Sequence, residues 1–240
     1  VTVFELVGLP GAGKTTLARR LVDWLAARGA TCGERELIGR LGSSRAAHYA
    51  RLAGFTARKG RYIPATFRLA ASVSPPRVLR TRFAAKLAVW PYRLSVARTK
   101  GYQTVVLDQG ILQSAWCVLL EGSLSHPRVL DQAVGEVLTA CEADFAFISL
   151  DVDAQLAAAR IEERGPMAAP FHRSNPETVR LLTEHRDHLE EVIVAGVRAT
   201  GAPHLRLDAR SPLEENAVQI ENFAESILGP ARVPASKVSP

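Results

Sequence analysis

Gly8-Leu9-Pro10-Gly11-Ala12-Gly13-Lys14-Thr15 decides the reading of this 240-residue chain. The octapeptide fits G-x4-G-K-[ST], a pattern that chance would place in a chain of this composition roughly 0.003 times. Before it runs a short β-prone stretch, Thr2-Val3-Phe4-Glu5-Leu6-Val7. After it, from Lys14, the apolar residues Leu17, Leu21, Val22 and Leu25 recur at helical spacing until Gly29 offers a stop. Strand, glycine-rich turn and helix, in that order, are what a polyphosphate cradle requires. Glycines let the backbone curl so that successive N–H groups and the helix N-terminus face the anion. Gly8, Pro10, Gly11, Ala12, Gly13, Lys14, Thr15 and Thr16 are therefore the expected nucleotide-binding residues. Lys14 would carry a mobile charge to the β- and γ-phosphates of ATP, and the Thr15 hydroxyl would be a ligand for Mg²⁺.

Further along, Thr104-Val105-Val106-Leu107 reads as a buried strand that ends in Asp108. A carboxylate there can enter a Mg²⁺ hydration shell or take a proton from an acceptor hydroxyl; capping the next helix is the structural alternative. ATP-driven machines usually place a water-activating Glu after that Asp, whereas this chain has Gln109, which suits a site that does not hydrolyse its nucleotide. None of Asn175, Asn216 and Asn222 is followed by Lys, so the N-K-x-D element of guanine switches is missing. Two more strands are expected at 145–150 and 204–207, and a weak one begins at Ala30-Thr31-Cys32. Helices are expected over most of 37–100, with breaks near Gly54, Gly60 and Pro75-Pro76, and with Pro91 kinking or ending the last. Others are expected at 111–121, 127–141 and 154–163, with a long one at 176–199 and a closing one at 212–228. Strands alternating with helices predict a parallel sheet covered on both faces.

The segment Leu150-Asp151-Val152-Asp153 through Ala158-Ala159-Arg160-Ile161-Glu162-Glu163-Arg164-Gly165 resembles the strand, helix and lid entrance of thymidylate kinases and their nucleoside and nucleotide kinase relatives. The resemblance also spans the glycine-rich loop, the Asp108 strand and the final Leu207-Asp208-Ala209. It implies a P-loop kinase-type three-layer α/β/α fold with a five-stranded parallel sheet and a helical lid. One domain would cover 1–228, with acceptor-binding helices at about 37–103, a lid at about 160–175 and a disordered tail from 229. By the same resemblance Arg160 would lie against the adenine or phosphates, and Arg164 would reach the transferring group. Arg173 would join them, and Ala209 with the turn after it would pack on the adenine. A solvated helix face is the plainer alternative for these arginines. The family's D-R pair on the third strand is here Asp108-Gln109, which leaves room for a hydroxyl-bearing acceptor such as a nucleoside, sugar or other metabolite. Glu34 or Glu36 stands where the family has an acidic residue after its second strand; with Arg61 and Gln109 they complete the acceptor-side candidates.

The formal charge of +6 matters less than its distribution, because no carboxylate occurs between Glu36 and Asp108 while Arg and Lys recur throughout. Such a block attracts anions: a phosphorylated or carboxylated acceptor, a lipid surface or, less readily, nucleic acid, since aromatic residues are only 6% and form no evident stacking platform. Transfer to a nucleic acid end and a nucleotide-dependent regulatory role without transfer remain the alternatives to a small-molecule kinase. Association into an oligomer stays open. With 47% hydrophobic and 22% charged residues the composition is globular, and no apolar run approaches the roughly 18–20 residues of a membrane span. The absence of a secretory-type start reads as a cytoplasmic chain. The three widely spaced cysteines read as reduced thiols.

Overall fold

The computed structural model describes residues 1–39, 45–74, 78–120, 123–124, 127–164 and 174–229. In chain order its strands are β1 (Thr2–Gly8), β2 (Thr31–Gly33), β3 (Val73–Ser74), β4 (Thr104–Leu107), β5 (Ser123–Leu124), β6 (Asp144–Asp151) and β7 (His204–Asp208). Five of them form an all-parallel sheet in the order β2-β4-β1-β6-β7. β1 lies at its centre, and its Val3, Phe4, Leu6 and Val7 are wholly buried, as a strand covered on both faces demands. β3 and β5 form a separate two-residue antiparallel pair with Val73 opposite Leu124, which the sequence reading did not include.

The helices are α1 (Lys14–Ala26), α2 (Glu34–Gly39), α3 (Arg45–Lys59), α4 (Ile63–Ser72), α5 (Val78–Thr99), α6 (Ile111–Leu119), α7 (Pro127–Ala140), α8 (Ala154–Glu163), α9 (Asn175–Glu184), α10 (Arg186–Thr200) and α11 (Leu213–Leu228). From β1 the chain steps through α1 to the β2 edge, and every later step in the large sheet runs toward β7. Parallel crossovers are right-handed, so steps in opposite directions leave their helices on opposite faces. The contacts agree: α1 packs with α11, whereas α5, α6, α7 and α10 pack on one another. The result is a three-layer α/β/α arrangement. Among the described residues no helix is long and apolar enough to cross a membrane.

Two expectations need correction, at Gly54 and over 176–199, and a third, at Pro91, is narrowed. Gly54 does not break α3, which runs on to Lys59 before a 3-10 turn at Gly60–Tyr62. Pro91 lies inside α5 and does not end it. The buried Ala84, Leu87, Trp90, Leu94 and Ala97 hold both halves of that helix in the core, and this packing outweighs the local cost of the ring. The long helix expected at 176–199 is two helices broken at His185, whose carbonyl accepts a 2.9 Å hydrogen bond from the Trp116 indole of α6. The Gly165–Pro170 loop, Arg173, Pro75-Pro76 and the tail 230–240 lie outside the described residues.

Candidate functional site

In a parallel sheet the carboxyl ends of all strands open on one side, and that edge is where α/β folds place ligands. β1 ends there in Gly8 and β4 in Asp108. Gly11 and Gly13 take left-handed backbone angles, φ +87° and +94°, which glycine adopts without strain. At Gly11 space is limiting as well: a Cβ would sit 2.5 Å from the Ala157 carbonyl oxygen of α8. Gly11→Ala is therefore expected to destabilise the fold by at least about 1–2 kcal/mol from backbone strain alone. It should also weaken nucleotide binding. Urea unfolding and a nucleotide titration check both, and unchanged values would mean that the loop has no need of this conformation.

Lys14 turns back over the loop, and its Nζ donates to the carbonyls of Gly8 (2.7 Å) and Leu9 (2.9 Å). Burial, with the charge of Arg164 adding, lowers its pKa to about 8. Next in sequence, Thr15 Oγ1 donates to Asp108 Oδ2 at 2.8 Å, so residues 93 apart meet above the sheet. Glu34 joins them from the start of α2. Its Oε2 accepts from the backbone N–H groups of Gln109 (2.7 Å) and Asp108 (3.2 Å). Burial and the adjoining Asp108 carboxyl raise the Glu34 pKa to about 7.

Two cavities flank this cluster. One of about 210 Å³ is lined by Gly11, Gly13, Thr16, Arg160, Arg164 and Ala209, among others, and so gathers most of the expected nucleotide residues. Arg160 closes its floor by donating to the Gly11 carbonyl (3.4 Å) and the Ala209 carbonyl (3.1 Å). Arg164 stands exposed at the end of α8. The other cavity, about 270 Å³, is lined by Thr15, Glu34, Glu36 and Asp108 with Arg19 and Asp23 of α1. Gln109 is exposed beside it and is fixed through its backbone rather than its amide. Pro10 and Ala12 lie in the loop between β1 and α1.

Neither a family model nor a curated protein matches the chain. Its site therefore has to be read from its own residues.

Arg61 is not brought to this site. It is exposed on the 3-10 turn, whose neighbour Lys59 pairs with Glu142 just before β6, at the opposite, amino end of the sheet. Position within the acid-free block was its only credential, and that block extends past both ends of the sheet.

Two residues that sequence reasoning missed support the loop from beneath. Glu5 is fully buried on β1, and its Oε1 accepts from the Gln113 N–H at the start of α6 (3.2 Å). Gly110 makes room for it, since a Cβ there would lie 2.6 Å from Glu5 Cδ. Burial raises the Glu5 pKa to about 8. Gln113 in turn accepts from the Gly8 N–H at 3.4 Å through its side-chain oxygen. The signal was present: a carboxylate in the middle of an apolar central strand needs a buried partner.

Proposed function

We propose that the chain is a P-loop phosphotransferase, thymidylate kinase-like in the order of its parts, which moves the γ-phosphoryl group of ATP to a hydroxyl of a small molecule. The observation that carries this reading is the 2.8 Å contact between Thr15 and Asp108. It joins the hydroxyl of the glycine-rich loop to the carboxylate at the end of β4, the two hard oxygen donors that a Mg²⁺–triphosphate site calls for. Among the described residues no group of three His, Cys, Asp or Glu side chains could hold a metal ion. Thr15 and Asp108 would thus share Mg²⁺ with phosphate oxygens and water, the coordination this ion commonly takes. Bound there, the ion would neutralise charge on the β- and γ-phosphates.

The remaining roles follow from placement. The loop N–H groups and Lys14 hold the triphosphate, and Arg160 and Arg164 border the nucleotide cavity where charge spreads over the equatorial oxygens during transfer. Glu34, poised near neutral pH, takes the proton of the acceptor hydroxyl. Two carboxyls facing the acceptor favour a hydroxyl over a phosphate there, because a phosphate would meet like charge.

Turnover is expected to rise with pH through about 7 as Glu34 loses its proton. In Glu34→Gln that limb should vanish along with most activity; an unchanged pH profile would remove Glu34 from the chemistry. Asp108→Asn should lower kcat by about 10²-fold or more with little change in nucleotide affinity, and equal losses in both would mark a structural role. The deciding experiment is acceptor-dependent ADP release across nucleosides, nucleoside monophosphates, sugars, aminoglycoside-like alcohols and 5′-hydroxyl oligonucleotides. A response to small hydroxyl compounds supports the proposal, and one confined to oligonucleotides makes the chain a nucleic acid end kinase. Tight ATP binding with no response across the panel makes it a nucleotide-dependent binding protein.

A further inference from the structure

Arg93 is the polar group whose position nothing so far accounts for. It lies on α5 with its guanidinium carbon 4.7 Å from the ring centre of Trp90, one turn earlier on the same helix. Its Nε and Nη1 are both shut off from solvent, and neither has a hydrogen-bond partner among the described residues. A charged group with buried donors left unfilled is costly, and such a group calls for a partner, whether a water, an ion or a ligand. No carboxylate on its own helix relieves it, because 37–107 contains none. Burial pushes its pKa down, and the charge of Glu34 pulls the other way.

The surroundings place Arg93 on the acceptor side. Trp90 donates from its indole to Ser114 Oγ (3.2 Å), and Ser114 Oγ donates to the Gly110 carbonyl (2.6 Å), two residues beyond Asp108. Lys86 lies two turns before Arg93, so both project from the same side of α5, about 10 Å apart along its axis. The Lys86 charge acts on Glu34 and on Cys117 of α6, and Cys117 also feels Lys14. Lys86 and Arg93 thus both act on Glu34, and Lys86 and Lys14 both act on Cys117.

The geometry points to an oxyanion-binding site formed by Arg93 and Lys86, which takes a carboxylate or phosphate group that the acceptor carries in addition to the hydroxyl presented to Glu34. This rests on the kinase reading and narrows its substrate class: the acceptor is a hydroxylated, anionic small molecule, held by a charge that is not the group being phosphorylated. Arg93 supplies directional donors and Lys86 a point charge, a pairing suited to either oxyanion.

The test titrates inorganic phosphate, and separately acetate, into the full chain saturated with Mg²⁺ and a non-hydrolysable ATP analogue, at constant ionic strength, with calorimetric readout. Phosphate binding is expected in the wild type, weakened at least tenfold in Arg93→Met and several-fold in Lys86→Met. Acetate competing with phosphate would identify a carboxylate as the fitting group, and acetate without effect a phosphate. Equal phosphate binding in wild type and both variants, or no phosphate binding at all, overturns the site. Should Arg93→Met fail to fold, Arg93→Lys and the partly buried Lys86→Met carry the comparison. The isotherm of the analogue separates the two readings. An analogue that fails to bind counts against the kinase proposal, while the Arg93-dependent difference in phosphate binding is still measured.

Discussion

Lys14→Ala is expected to lower phosphoryl transfer about 10³-fold or more while leaving the chain folded. The loss follows from the proposed chemistry: Lys14 is the one cation that the glycine-rich loop itself carries, whereas Arg160 and Arg164 come to the same cavity from α8 and its end. The tolerance follows from local energetics. Removing the side chain ends its hydrogen bonds to Gly8 and Leu9, worth about 1–3 kcal/mol each for a charged donor. It also removes a partly buried cation whose pKa desolvation lowers to about 8, so the loss of its charge offsets part of that cost. The two effects oppose each other, so the melting temperature should move by only a few degrees. ADP release and thermal unfolding measured on one preparation check both halves. Retained activity would dissociate the glycine-rich loop from catalysis.

The second large effect belongs to stability. Glu5 has a pKa of about 8 when folded against 4.5 for the free side chain, so between those values the folded chain holds a proton that the unfolded chain has released. Its contribution is fully present below about pH 4.5 and is lost as pH rises toward 8, at about 1.4 kcal/mol per pH unit within that window. Glu34 adds a slope of the same sign that ends near pH 7. Glu5→Gln keeps an oxygen for the Gln113 N–H and abolishes the titration. Relative to wild type it should change little at pH 5 and be more stable by several kcal/mol at pH 8. Urea unfolding at three pH values resolves this, and parallel curves for the two proteins would show that folding does not raise the Glu5 pKa. Glu5→Leu, which leaves the Gln113 N–H unmet, should destabilise at every pH.

What the sequence reveals and what it hides divide along physical lines. The strands of the large sheet are legible because each is a short apolar run bounded by turn residues, and even the weak Thr31–Gly33 strand forms, paired to β4. Thr15 and Asp108 are legible as a pair because Thr15 opens the helix after β1 and Asp108 directly follows β4, and parallel strands end on the same side. The break at His185 was hidden because the side chain that meets its carbonyl, Trp116, lies 69 residues earlier. That Pro91 does not end its helix was hidden, because its local penalty is outweighed by burial that only the packed α5 reveals. Arg61 and Arg93 look alike in a block of basic residues. Turn geometry sends the first to the far end of the sheet, while helical register and the ring of Trp90 direct the second into the protein.

The side-chain amide of Gln113 gives the site a property that neither cavity has alone. It ties the first amide of the glycine-rich loop to α6, and the same turn of α6 is gripped by Glu5. The next residue of α6, Ser114, accepts from the Trp90 indole beneath Arg93. On the kinase proposal, loop and acceptor side would be joined through α6, and a ligand that displaced either end would work against the other. Linkage makes such a coupling symmetrical: the factor by which bound nucleotide changes acceptor affinity is the factor by which acceptor changes nucleotide affinity. A side chain that contacts neither ligand would then set the order and tightness with which both are held.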